Sequence, residues 1–143
     1  MNNSSTLQDA ERFIACEYID GAFDCGDLVV LVQRELFARL LDVPLAAARS
    51  AGVRGQARDL AVHLARYTRR TTAPATGDLV LFWETTPNGI PPLNRRWHLG
   101  TVFLHLGAPW VLHCQNETFG TRLQPLHEVL AGPLHLESFL QWI

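Results

Sequence analysis

Residues 98–115 read His98-Leu99-Gly100-Thr101-Val102-Phe103-Leu104-His105-Leu106-Gly107-Ala108-Pro109-Trp110-Val111-Leu112-His113-Cys114-Gln115. Two runs of β-branched, aromatic and aliphatic residues flank a short break, the pattern of a β-hairpin. The spacing predicts a strand over 98–106, a turn at Gly107-Ala108-Pro109 and a returning strand over 110–115. Upstream the apolar residues recur at helical spacing instead. Leu28, Leu31, Val32, Leu36 and Leu40 form one stripe over 25–41, with Arg34, Glu35 and Arg39 away from it. Leu7, Ala10, Phe13 and Ile14 predict an earlier helix over 6–19, capped by Thr6 or Ser5. Weaker helical patterns cover 44–51 and 56–70. After a linker over 71–77 the period becomes strand-like, with a strand over 78–83. A long loop over 84–96 follows, marked by Pro87-Asn88-Gly89 and Pro91-Pro92. Beyond the hairpin, a strand begins at Arg122-Leu123. A helical turn covers 126–130, and a final strand or short helix covers 136–143. Helices first and an antiparallel sheet second define the α+β class.

The chain of 143 residues is long enough for one domain with a sizeable core, and no second domain or internal repeat is visible over 1–143. Hydrophobic residues at 48% and charged residues at 18% are globular composition. A net charge of −2 does not suggest a general nucleic-acid or membrane-surface binder. All 12 basic residues are Arg, which excludes a lysine Schiff base or a Walker-type phosphate loop. Three cysteines, Cys16, Cys25 and Cys114, are too few and too scattered for a disulfide framework or a zinc ribbon. Met1 to Thr6 shows no basic region leading into an apolar core, and no apolar run approaches the roughly 20 residues of a membrane span. The expectation is synthesis in the cytoplasm without export by the usual route.

Cys25 sits in Phe23-Asp24-Cys25-Gly26-Asp27, where a loop gives way to the strongest helix. A thiol attacks as its thiolate, so its free pKa of about 8.5 must fall. A helix N-terminus favours this through its unpaired N–H groups and positive dipole end, and the same groups can hold an oxyanion. Asp24 and Asp27 oppose it, so a histidinium is expected to compensate, with His98 as its source. His98 opens a strand after a long loop, a common place for a catalytic base. Gly100 leaves room beside it for close approach of another segment or a ligand. Pairing across the hairpin brings His113 beside His98, where it can orient the imidazole. Cys16 and Cys114 read as core, and His63, His127 and His135 as surface or satisfied histidines. Cys25, His98 and His113 form the one combination with zinc-ligand chemistry, but local spacings such as HExxH or CxxC are missing, so no metal and no cofactor is expected.

With these residues in place the chain resembles the NlpC/P60 family of cysteine peptidases. Tyr18-Ile19-Asp20-Gly21 resembles the family's Tyr-x-x-Gly entry, and Asp24-Cys25 its Asp-Cys nucleophile at a helix start. Thr76-Gly77-Asp78-Leu79-Val80-Leu81-Phe82 resembles its Gly-Asp-Leu-Val-Phe-Phe strand. His98-Leu99-Gly100-Thr101-Val102-Phe103 with Val111-Leu112-His113-Cys114 resembles its His-Val-Gly-Ile-Tyr and Ile-His-Ala pair. The resemblance spans about residues 11 to 124, and the order of the motifs is more specific than any one of them.

The resemblance implies a papain-like α+β fold in which N-terminal helices pack on a small antiparallel sheet. It implies Cys25 as nucleophile, His98 as general base and His113 as orienting residue, acting on peptidoglycan stem peptides. Tyr18 would line the site and Asp24 would receive the substrate's free amine. The family has Ser-Gly after the nucleophile where this chain has Gly26-Asp27, so Gly26 removes a hydrogen-bonding group and Asp27 is the candidate to replace it. Trp97 would form a wall with the 84–96 insertion. A lone domain of this kind resembles the subset found in tailed phages and prophages, with tail or secretion-apparatus proteins as partners and the virion tail or the periplasm as destination. Two alternatives remain: a catalytically inactive tail-tip or assembly protein, and a thiol hydrolase of another amide or acyl substrate. Lecithin-retinol acyltransferase relatives place their histidines before the cysteine, and the order here argues against them.

Overall fold

The computed structural model describes residues 6–48, 60, 62–84 and 96–143. Its centre is a six-stranded antiparallel sheet in the order β1-β6-β2-β3-β4-β5. The strands are β1 (Thr68–Thr71), β2 (Leu79–Glu84), β3 (Arg96–His105), β4 (Ala108–Cys114), β5 (Thr121–Pro125) and β6 (Leu134–Trp142). Helices α1 (Leu7–Glu11) and α2 (Cys25–Phe37) precede the sheet, and a short α3 (Leu126–Leu130) joins β5 to β6. The α+β class follows from this arrangement.

Alternation along the strands sorts the core into two sides. Leu99, Phe103, Leu112 and Cys114 face α1 and α2, where they pack with Phe13, Leu28, Val29 and Val32. Val80, Phe82, Val102 and Val111 form the other side, covered by Val129 of α3 and by Leu134. Helix α2 is tied to the sheet by more than apolar burial. The Gly77 carbonyl, just ahead of β2, accepts from Gln33 Nε2 at 3.0 Å and from Trp142 Nε1 at 2.7 Å. Fully buried Gln33 is thereby satisfied, as a buried amide must be.

Several predicted boundaries move, each for a local reason. The first helix ends at Glu11 rather than 19, and the chain continues in turns to the isolated bridge Ile19–Phe23. Helix α2 ends at Phe37 rather than 41, because Ala38 takes a left-handed φ of 54° and its N–H bonds back to the Gln33 carbonyl. The hairpin turns at Leu106 and Gly107, with φ of 52° and 79°, while Ala108 already pairs with His105. Positive φ at both positions suits the two-residue turn that matches strand twist, so Ala108 and Pro109 belong to β4. Of the helix predicted over 56–70, residues 60 and 62–64 are helical, 56–59 and 61 lie outside the described residues, and 68–71 form β1 instead. Its Thr68 and Arg70 pair with Trp142 and Leu140, so a tertiary partner overrides local propensity. The helix predicted over 44–51 is reduced to one 3-10 turn, Ala46–Ala48, with 49–51 outside the described residues. The 84–96 loop is described only at its ends, where Glu84 and Arg96 pair across β2 and β3 with an ion pair at 3.7 Å.

Candidate active site

Cys25 is the first residue of α2. Asp24, extended and nearly buried, is the N-cap, and its Oδ1 accepts from Gly26 N at 3.0 Å and Asp27 N at 3.2 Å. Two of the helix's orphan donors are satisfied there. The segment before the cap is closed by mutual bonds, Ile19 N to Phe23 O at 2.8 Å and Phe23 N to Ile19 O at 2.7 Å. Cys25 is thus delivered half-buried at the positive end of a capped, 13-residue helix.

The two hairpin histidines meet. His98 Nε2 lies 2.7 Å from His113 Nδ1, with the rings edge to face at 5.0 Å. Gly100 makes this possible in a way composition alone could not specify: the space beside it is filled by Val111 and His113 of β4, so the close approach is that of the neighbouring strand. His113 Nε2 in turn lies 2.9 Å from Gln124 Oε1 on β5. Both histidines are buried, at 8% and 1% exposure. Burial, and next the neighbouring His113, push the His98 imidazole well below its ordinary value. Burial also pushes His113 down to about 4; the bond to Gln124 opposes the fall and the Arg122 charge adds to it. Both rings are therefore neutral at pH 7. The histidinium expected to offset Asp24 and Asp27 is not favoured here, because burial disfavours the charged form of both rings.

Cys25 and His98 border the same cleft, of about 910 Å³. Tyr18, Asp24, Gly26 and Trp97 line it with them. Cys114 also lines it, as does the β4–β5 connection, where Asn116 Oδ1 accepts from Thr118 N and Phe119 N. Burial, with the carboxylates of Asp20 and Asp24 and the thiols of Cys25 and Cys114, pushes the Tyr18 phenol up, so it remains a hydrogen-bond donor. The two catalytic candidates reach the cleft from different sides of the sheet. Helix α2 packs on the Leu99 and Phe103 face, whereas His98, Val102 and His113 alternate onto the α3 face. Both nevertheless line one cleft, Cys25 from the first position of α2 and His98 from the third position of β3.

Two expected residues stand apart from the cleft wall. Asp27 is buried, and its Oδ1 accepts from Ala46 N at 2.9 Å. This bond ties Ala46 to α2, and Asp27 is not among the residues that line the cleft. His113 stands behind His98 rather than on the surface of the cleft. Gln124 is the residue that sequence reasoning missed. The signal lay in β5: extending the strand at Arg122-Leu123 by one residue places Gln124 opposite Val111, on the side that carries His113. Among the described residues no group of three or more His, Cys, Asp or Glu side chains is arranged to hold a metal ion. None of their helices is long and apolar enough to cross a membrane.

The chain matches no protein-family model, no curated protein and no solved structure.

Proposed function

We propose that this protein is a cysteine hydrolase that cleaves an amide bond through Cys25, His98 and His113. The observation that carries the reading is that one cleft is lined both by a cysteine at a capped helix N-terminus and by His98, whose ring is hydrogen-bonded to His113 behind it. In this mechanism His98, neutral before reaction, takes the Cys25 proton as sulfur attacks the substrate carbonyl. The imidazolium formed donates from Nε2 to His113 Nδ1. The Cys25 backbone N–H and the Tyr18 hydroxyl stabilise the oxyanion. His98 returns the proton to the departing amine, leaving a thioester, and then activates a water that releases the acid and the free thiol.

The substrate class follows from the resemblance to NlpC/P60 peptidases: peptidoglycan stem peptides, with Asp24 toward the free amine. A tail-borne or secreted role follows from the same resemblance. Purified protein incubated with muropeptides is expected to release new amines detectable by mass spectrometry, and Cys25→Ala is expected to release none. Equal release by both proteins would remove Cys25 from the reaction.

A further inference from the structure

The His98–His113 contact leaves one question that the hairpin alone does not answer: which nitrogens carry the protons. A neutral imidazole has one N–H and one bare nitrogen, and the partner of each nitrogen decides which is which. Nε2 of His98 faces Nδ1 of His113, so one must donate and the other accept. Both arrangements satisfy that contact. One leaves His98 Nδ1 bare and able to act as a base; the other puts a proton there and disables it.

Gln124 breaks the tie. Its Oε1 stands 2.9 Å from His113 Nε2, and a carbonyl oxygen only accepts. With the amide oxygen on that side, His113 carries its proton on Nε2. Its Nδ1 is then bare and accepts from His98 Nε2–H at 2.7 Å, which leaves His98 Nδ1 with a lone pair. We propose that Gln124 is a positioning residue whose carbonyl sets the tautomers of both histidines in series and thereby makes His98 a base at Nδ1. This rests on the cysteine-hydrolase reading for its purpose but not for its chemistry. Gln124 reaches His113 from edge strand β5 and is only half-buried, so its replacement leaves the core intact.

The test is ¹⁵N NMR of histidine-labelled full-length protein near pH 7, where protonated and bare ring nitrogens have well-separated shifts. Wild type is expected to show His113 protonated at Nε2 and His98 protonated at Nε2. Gln124→Leu is expected to show His113 and His98 as mixed tautomers, and Gln124→Glu, which keeps an acceptor, to restore the wild-type pattern. Iodoacetamide capture of Cys25 is expected to slow about tenfold in Gln124→Leu, the scale of one lost hydrogen bond, and to recover in Gln124→Glu. His113 protonated at Nδ1 in wild type, or tautomers unchanged in Gln124→Leu, overturns the inference. The hydrolase reading fails separately: Cys25→Ala releasing amines as wild type does would sink it without touching the tautomer result.

Discussion

Gly100→Ala is the sharpest test of how tightly β3 and β4 are pressed together behind His98. A Cβ built at Gly100 lies 2.6 Å from Val111 Cγ1, 3.2 Å from the Leu112 carbonyl oxygen and 3.4 Å from His113 Cβ. Carbon atoms pack at about 3.5–4.0 Å, so Val111 must retreat by roughly 1 Å. It has little freedom to do so. Its side chain is β-branched and fully buried against Phe82, Val102 and Val129, and the Leu112 oxygen is backbone. Overpacking of this kind costs about 1–3 kcal/mol, while replacing a strand glycine by alanine returns about 0.5–1 kcal/mol of backbone entropy. The two ranges leave a net loss of up to about 2.5 kcal/mol, centred a little above 1 kcal/mol. In a chain of this size that lowers the melting temperature by roughly 3–8 °C, read by circular dichroism. The same displacement lengthens the 2.7 Å contact between His98 and His113, so Cys25 alkylation slows as well. A variant that melts at or above wild type, with unchanged alkylation, would refute the close packing on which the histidine pair depends.

Stability should fall in acid through the histidine pair. The folded-state pKa of His113 is depressed from 6.5 to about 4, so the unfolded chain binds more protons between those values. The contribution is fully present above pH 6.5, is lost as pH falls toward 4, and amounts to about 3 kcal/mol. In urea titrations His113→Gln is expected to flatten this part of the profile; an unchanged slope would mean that the ring is not buried neutral. Asp24→Ala removes the two hydrogen bonds that cap α2 and is expected to cost about 1–2 kcal/mol, with Asp24→Asn recovering most of it. Equal stability of Asp24→Ala and wild type in the same titrations would show that the cap does not hold the start of the helix.

Much of the fold was legible because its strands alternate cleanly and its main helix has one apolar stripe. Cys25 could be placed at the start of α2, and His113 beside His98, from periodicity and the shortness of the hairpin. The departures come from interactions between segments distant in sequence. Residues 68–71 carry no strong pattern and become a strand because β6 offers them an edge. Asp27 accepts the N–H of Ala46, 19 positions away, a contact no local pattern announces. Alternation separated His98 from Leu99 correctly, but not which side α2 would cover; α2 packs on the side of Leu99, Phe103, Leu112 and Cys114. The neutrality of His98 and His113 also could not be read from their neighbours in the chain, because it follows from burial in the folded protein.

The central claim is that Cys25 becomes acylated. Wild-type protein mixed with peptidoglycan stem peptides and quenched in acid should carry a thioester adduct, visible by intact mass and mapped to Cys25. The Cys25→Ala variant should carry none and release no amine, and His98→Ala should accumulate little adduct. Amine release without an adduct at Cys25, or persisting in Cys25→Ala, would contradict the account.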